Sequence, residues 1–252
     1  MYFCSLTKKY TMKKILLPFY FIYQFLIYWP IAFIISLLTC IITFTMSMLF
    51  NPHFWGYYPG KIWSILMCYL ALCPVKIEGR DKIKNNQSYV FALDHQSSYD
   101  IFMVYGFLGH NFKWIMKEEI KKVPLLGAAC KAAGHVFVNR TNRKAAYNAI
   151  QEAKTRITNG TSIVIFPEGT RRKGPNMLPF KKGGFHIAQD LELPIVPVTI
   201  VGTYEMFPVG AKYILPQRLK LIFHDPIPYS KENGDDMDAL VERVRNEVAS
   251  SL

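Results

Sequence analysis

Apolar and polar residues are distributed along this chain in two distinct ways. From Ile15 to Gly60 there is no Asp, Glu, Lys or Arg, and the stretch up to Phe50 is almost continuously apolar. A membrane-crossing helix takes ~20 apolar residues, so this stretch holds one generous span and barely two. Pro18 and Pro30 are expected to interrupt it, which places the main helix at about 31–50. A second apolar run, "IWSILMCYLALCPV", is too short to span and suits a helix at about 60–74 that dips into the membrane and pairs with the first as a hairpin. A cleaved signal peptide fits poorly, because the run is too long and no small-residue cleavage site closes it. Met12-Lys13-Lys14 reads as a natural start. Residues 1–74 are therefore expected to be a membrane-anchoring region.

From Val75 the pattern changes to short apolar runs alternating with helical periodicity. "VKIEG", "SYVFAL", "VFVN", "SIVIF", "IVPVTIV" and "KLIFH" read as strands. Helices are expected from about Asp100 to Leu108, over 142–158 with Gly160 as its stop, over 185–191, and at the end of the chain. There Met237, Leu240, Val241, Val244 and Val248 form one stripe. "SIVIF" is apolar on both faces, as in a parallel strand covered on each side. The expected fold is α/β, a mixed and mostly parallel sheet flanked by helices, with residues 75–252 forming a single domain behind the hydrophobic helical anchor.

Charge sharpens this picture. The excess of 30 Lys+Arg over 18 Asp+Glu gives +12 and points to anionic partners. Lys8, Lys9, Lys13 and Lys14 are the only formal charges in the first sixty residues; Lys13 and Lys14, just ahead of the apolar run, would hold the N-terminus on the cytoplasmic side, and the domain from Val75 is expected on the cytoplasmic face. Trp29, Trp55, Tyr57 and Tyr58 suit an interfacial belt. The five cysteines show no metal-type pairing and read as small hydrophobes.

Two stretches carry candidate chemistry. In "YVFALDHQSSYD" a strand runs into His95, and Asp100 follows five positions later. On one continuous helix those side chains would lie about 140° apart. They meet only if His95 ends the strand and Asp100 opens the next helix, with Ser97 and Ser98 as capping residues at the corner. Asp94 should then point to the opposite face. Such a pair works as a base, with the carboxylate fixing the imidazole tautomer and the other ring nitrogen removing a proton. The competing reading makes Asp100 merely the acid at the third helical position of a capping box begun by Ser97, with His95 a satisfied edge residue. No serine sits in a G-x-S-x-G elbow and no cysteine neighbours a plausible base, so the substrate is expected to bring the nucleophile. The second stretch, "IVIFPEGTRRKG", opens from an apolar strand into Glu168, Gly169, Thr170, Arg171, Arg172 and Lys173. Between Glu168 and Asp190 there are five basic residues and no acid, and a similar acid-free window between Glu119 and Glu152 holds Arg140 just past a strand. Basic side chains at strand ends suit a phosphate. A solvated rim touching lipid head groups is the alternative, above all for Arg172 and Lys173.

Together "HQSSYD", "GHVFVNR", "FPEGTR", "PFKKGGF" and "LPIVPVTI", in that order, resemble the glycerolipid acyltransferase family, and within it the 1-acyl-glycerol-3-phosphate (lysophosphatidate) acyltransferases. The resemblance covers roughly 75–228. It implies His95 as general base on the free sn-2 hydroxyl of the lysophospholipid, oriented by Asp100, and direct attack on an acyl thioester without an acyl-enzyme. Arg140, Arg171 and Lys181 are implied to bind the glycerol phosphate, with Glu168, Gly169 and Thr170 shaping the same phosphate-binding loop. It implies no metal and no cofactor, with acyl-CoA or acyl-carrier-protein as the acyl donor, the bilayer and lysophosphatidate as partners, and phosphatidic acid as product. Two departures stand out: Asp94 where the family usually has Asn, and Asn139 where an acid often precedes the arginine. Transfer to another lysophospholipid or lyso-aminolipid is the alternative reading, and a non-enzymatic lipid-binding protein a third. Nucleic acid binding would explain the charge but neither the anchor nor the His-Asp corner.

Overall fold

The computed structural model describes residues 16–139, 148, 151, 157, 160–228 and 236–252. Lys13 and Lys14, and nearly all of the helix expected over 142–158, lie outside them.

The first helix, α1 (Leu16–Leu49), is longer than expected and runs through both prolines. Pro30 is tolerated because the turn before it is a π-turn, Gln24–Tyr28, after which α geometry resumes over Trp29–Leu49. Widening a helical turn is one way to absorb a local break in the ladder that proline causes. Large apolar side chains such as Phe19, Phe25, Phe33 and Leu49 project outward along α1. By length and composition this helix is able to cross a bilayer, and it is the candidate membrane anchor.

A short turn of helix, α2 (Pro52–Trp55), leads into α3 (Tyr58–Leu70). As expected, α3 returns along α1, with Trp63 donating its indole N–H to Ser36 Oγ at 2.9 Å. It also packs closely on α4 (Asp100–Phe107): a Cβ on Gly60 would meet the Tyr105 ring at 2.6 Å, and one on Gly106 would meet Ile65 at 3.1 Å. Tyr57, expected at the membrane interface, is instead buried, stacked on Tyr105 and edge-on to Phe112. Trp29 and Tyr58 remain exposed.

Seven strands form one sheet in the order β1-β7-β6-β2-β5-β3-β4: β1 (Val75–Glu78), β2 (Val90–Leu93), β3 (Phe112–Lys117), β4 (Val136–Val138), β5 (Ser162–Ile165), β6 (Ile195–Val201) and β7 (Leu219–Phe223). All neighbours are parallel except β6 and β7. The mixed, mostly parallel sheet matches expectation. β3 and the helix after it, α5 (Leu126–Ala132), were not legible: "FKWIMK" alternates charge with aromatics in a way that gives no clean period.

Strand alternation splits the core into two layers. Phe91, Leu93, Val164, Val196 and Val198 face α3 and α4, whereas Val90, Ala92, Ile163, Ile165 and Ile195 face α6 (Gly183–Leu191) and the terminal helix. After the short α7 (Thr203–Met206), α8 (Met237–Ala249) closes the second layer with Leu240, Val241, Val244 and Val248, the expected stripe. Each such aliphatic side chain contributes roughly 1.5–3 kcal/mol on full burial. Two covered faces leave the strand ends as the place for a site, and β2 sits in the middle of the sheet.

Candidate active site

The site lies past the ends of β2 and β5, beside the last residues of β6. Parallel register pairs Ala92 with Ile165 on one side and Leu93 with Val198 on the other, so the residues just past β2 lie between those just past β5 and the final residues of β6, which runs on to Val201.

His95 and Asp100 meet. His95 Nδ1 is 2.8 Å from Asp100 Oδ2, with the imidazole partly exposed and the carboxylate fully buried. The two readings of Asp100 turn out to be compatible. The same Oδ2 accepts the backbone N–H of Gln96 at 2.6 Å and of Ser97 at 2.8 Å, so the carboxylate caps the corner while it holds the ring. Its other oxygen, Oδ1, accepts the hydroxyl of Thr203 at 2.6 Å. With Nδ1 engaged, the Nε2 of His95 is the nitrogen left for a substrate.

The ring is held from its flat side as well. Phe166, the last residue before the Pro-Glu-Gly turn, stacks on the imidazole with centroids 4.0 Å apart and planes 13° apart, and Trp114 of β3 stacks behind it at 5.6 Å. Neither Phe166 nor Thr203 was singled out from the sequence. Phe166 could have been, because an aromatic at a strand end next to a motif loop is visible in the text of the chain. Thr203 lies 103 positions from Asp100, and only the pairing of β6 with β2 brings them together.

The "FPEGTR" loop is tied to the His95 corner through its backbone. Glu168 is buried, and its Oε1 accepts the His95 N–H at 2.7 Å while Oε2 accepts the Leu178 N–H at 2.8 Å. Burial raises its pKa, opposed by those two hydrogen bonds. A buried carboxylate committed to two amides shapes the loop and offers a phosphate no donor, so its place in the phosphate-binding set is structural. Gly169 turns the chain at φ +75, and a Cβ there would approach the Lys181 ammonium at 3.1 Å. The glycine therefore lets Lys181 lie against the loop. Lys181 and Thr170 are exposed. Arg171 reaches back over the corner, Nη1 donating to Ser98 Oγ inside the "HQSSYD" stretch. Arg140 lies outside the described residues; the strand before it, β4, is three places from β2.

One residue differs from expectation. Arg172 is not part of a solvated rim: it is buried, its backbone N–H donates to His95 O at 3.0 Å, and its guanidinium lies over the Tyr204 ring. Lys173 is exposed as expected. Asp94 is fully buried, with Oδ1 accepting the Ile200 N–H at 2.8 Å and Oδ2 accepting from the Gln96 amide. Burial, with the nearby Asp100 charge, pushes its pKa up to about 7, against the hydrogen bonds and the Arg172 charge.

The arrangement is an oriented imidazole beside exposed cations. It can take a proton from a hydroxyl while a phosphate on the same molecule is held a short distance away.

Comparisons with known proteins agree with this geometry. The family model described as Acyltransferase matches residues 74–201. A chloroplastic 1-acyl-sn-glycerol-3-phosphate acyltransferase of Brassica napus is 31% identical over 195 residues, 77% of this chain and 55% of that protein. A 1-acyl-sn-glycerol-3-phosphate acyltransferase of Limnanthes douglasii is 31% identical over 194 residues, 77% of this chain and 68% of that protein. The chain thus spans little more than half the length of the first of these. Among solved structures, the 1-acyl-sn-glycerophosphate (LPA) acyltransferase PlsC from Thermotoga maritima superposes with a TM-score of 0.69 at 23% identity, over 83% of this chain and 85% of that one, and so shares the fold.

Proposed function

The chain belongs to the Acyltransferase family, and on that premise we propose that it transfers an acyl chain from an acyl thioester to the free sn-2 hydroxyl of 1-acyl-glycerol-3-phosphate, making phosphatidic acid. The observation that carries this reading is the 2.8 Å contact between His95 Nδ1 and Asp100, which aims Nε2 outward as the base. Nε2 of His95 takes the hydroxyl proton as the oxygen attacks the thioester carbonyl. The tetrahedral adduct collapses with cleavage of the C–S bond, and the imidazolium returns its proton to the departing thiolate. The negative Asp100 favours the imidazolium that forms between these steps.

Arg171 and Lys181 would hold the phosphate of the acceptor, with Arg140 as a third cation by family resemblance. Acyl-CoA and acyl carrier protein are both anionic donors that suit a basic face. Residues 1–74 would anchor the chain as a hairpin of α1 and α3 that enters and leaves the bilayer by the face where the lysines ahead of α1 sit, so that 75–252 would carry the chemistry on the cytoplasmic face.

The test is purified full chain in vesicles, offered a panel of labelled lysolipids with each thioester donor, with products identified by mass. Phosphatidate from lysophosphatidate is the expected product. Acylation confined to a different lysolipid would move the acceptor assignment, and absence of any thioester-dependent product would overturn the reading.

A further inference from the structure

The anchor helix breaks α geometry once, at the π-turn Gln24–Tyr28, and that turn meets the catalytic corner through a hydrogen bond between Tyr28 and Tyr99. Within it Gln24 and Tyr28 are buried while Phe25, Leu26 and Ile27 are exposed. π-turns insert one extra residue and re-aim the side chains around them. Here Tyr28 grips the residue that precedes Asp100, and Gln24 grips a loop that is bonded in turn to the helix holding Asp100.

The first grip is direct. The hydroxyls of Tyr28 and Tyr99 are hydrogen-bonded to each other, and Tyr99 immediately precedes Asp100 in the "HQSSYD" stretch. The second runs through a loop. The Gln24 amide closes both ends on one residue, Nε2 donating to Ile214 O at 2.7 Å and Oε1 accepting from Ile214 N at 3.0 Å. Ile214 is followed by Leu215, whose N–H donates to Met206 O at 2.9 Å, and the next residue, Phe207, accepts Ser97 Oγ at 2.6 Å through its carbonyl. The helix that Met206 ends, α7, begins at Thr203, which holds Asp100 Oδ1.

A primary amide on a largely apolar helix is costly to bury unless both of its ends are satisfied. The Gln24–Ile214 pair satisfies both ends in one rotational and axial setting of α1, and a slide of one turn, about 5.4 Å, would break both bonds. The helix is therefore seated in register rather than merely packed.

We infer that Gln24 and Tyr28 are positioning residues, which tie the seating of the anchor helix to the orientation of Asp100 and so to the tautomer and aim of His95. The acyl-transfer machinery is held in working geometry when α1 occupies this seat. Two further tyrosines provide an internal comparison: Tyr20 and Tyr23 donate to Ala71 O and Leu70 O, each at 2.8 Å, fastening α1 to the end of α3 with no bond to the catalytic corner.

The test uses the full chain in lipid vesicles with Gln24→Leu, Tyr28→Phe and, as the comparison, Tyr23→Phe. Two quantities are read: the kcat and KM split, and the imidazole nitrogen shifts of His95 by NMR. Gln24→Leu and Tyr28→Phe are expected to lower kcat about tenfold, with KM moved by no more than about twofold, and to displace the His95 Nδ1 resonance. Tyr23→Phe is expected to change neither. If Gln24→Leu fails to fold, Tyr28→Phe decides alone, since it deletes a single oxygen. The turnover readout rests on the acyltransferase reading, and a wild-type chain without turnover would sink that reading only. His95 resonances in Tyr28→Phe that match those of Tyr23→Phe would overturn the inference whatever the turnover.

Discussion

The two sides of the site are built on opposite plans. On the His95 side both carboxylates are buried and committed: Asp100 takes four hydrogen bonds, Glu168 takes two, and the imidazole is stacked on Phe166. On the cationic side Lys181 and Arg171 stand exposed, and Arg171 has one bond to a serine hydroxyl. Fixed geometry is what a proton transfer needs, because the base must meet the hydroxyl at a set distance and angle. Charge at a distance tolerates looseness, since attraction for a phosphate falls off slowly compared with a hydrogen bond. The difference assigns rate to one side and affinity to the other, and substitutions can break that assignment.

The largest effect is expected from His95→Ala, which should remove about a thousandfold or more of the turnover while leaving vesicle flotation intact. Product formation at the wild-type rate would refute the assignment of the base. Asp100→Asn comes next, with a loss of about a hundredfold in kcat, because the amide neither stabilises the imidazolium nor fixes the tautomer. Thr203→Val leaves the carboxylate in place but removes one of its donors, and a kcat decrease of about tenfold is expected. On the other side, Arg171→Ala should raise KM for the phosphate-bearing acceptor about tenfold with kcat nearly kept, and the penalty should shrink as salt is added. A fall in kcat at unchanged KM would show that Arg171, through Ser98, belongs to the rigid side instead.

The smallest effect concerns stability. The folded-state pKa of Asp94 is raised from 3.8 to about 7 by burial, so the folded chain keeps this proton where the unfolded chain has lost it. Between those values the unfolded state binds fewer protons, and stability falls as pH rises through the window. Asp94→Asn should flatten that part of the curve of Tm against pH. An unchanged slope would mean that the Ile200 and Gln96 bonds and the Arg172 charge keep the carboxylate ionised.

The same contrast explains what was legible in the chain. The His95–Asp100 spacing and the "FPEGTR" loop are contiguous, so the sequence alone placed them on strand ends. The apolar alternation of β2, β5 and β6 placed the sheet that carries them. What failed to show were contacts made across the fold. Thr203 and Phe166 gain their roles from strand order, and Arg172 reads as one more surface cation until its burial beside Asp94 is seen. Pro30 looked like a helix end because the rule against proline assumes an α ladder, and the π-turn before it supplies another geometry. Tyr57 reads as interfacial but is buried, because aromatic residues near a span look alike in sequence whether they face lipid or core.

One measurement bears on the core of this account more directly than turnover does: the imidazole nitrogen shifts of His95 in histidine-labelled chain at neutral pH, assigned by loss of the signals in His95→Ala. A proton on Nδ1 facing Asp100, with Nε2 bare, is the predicted state. A proton on Nε2 with Nδ1 bare would contradict it, because the outward nitrogen would then have no lone pair with which to take a hydroxyl's proton.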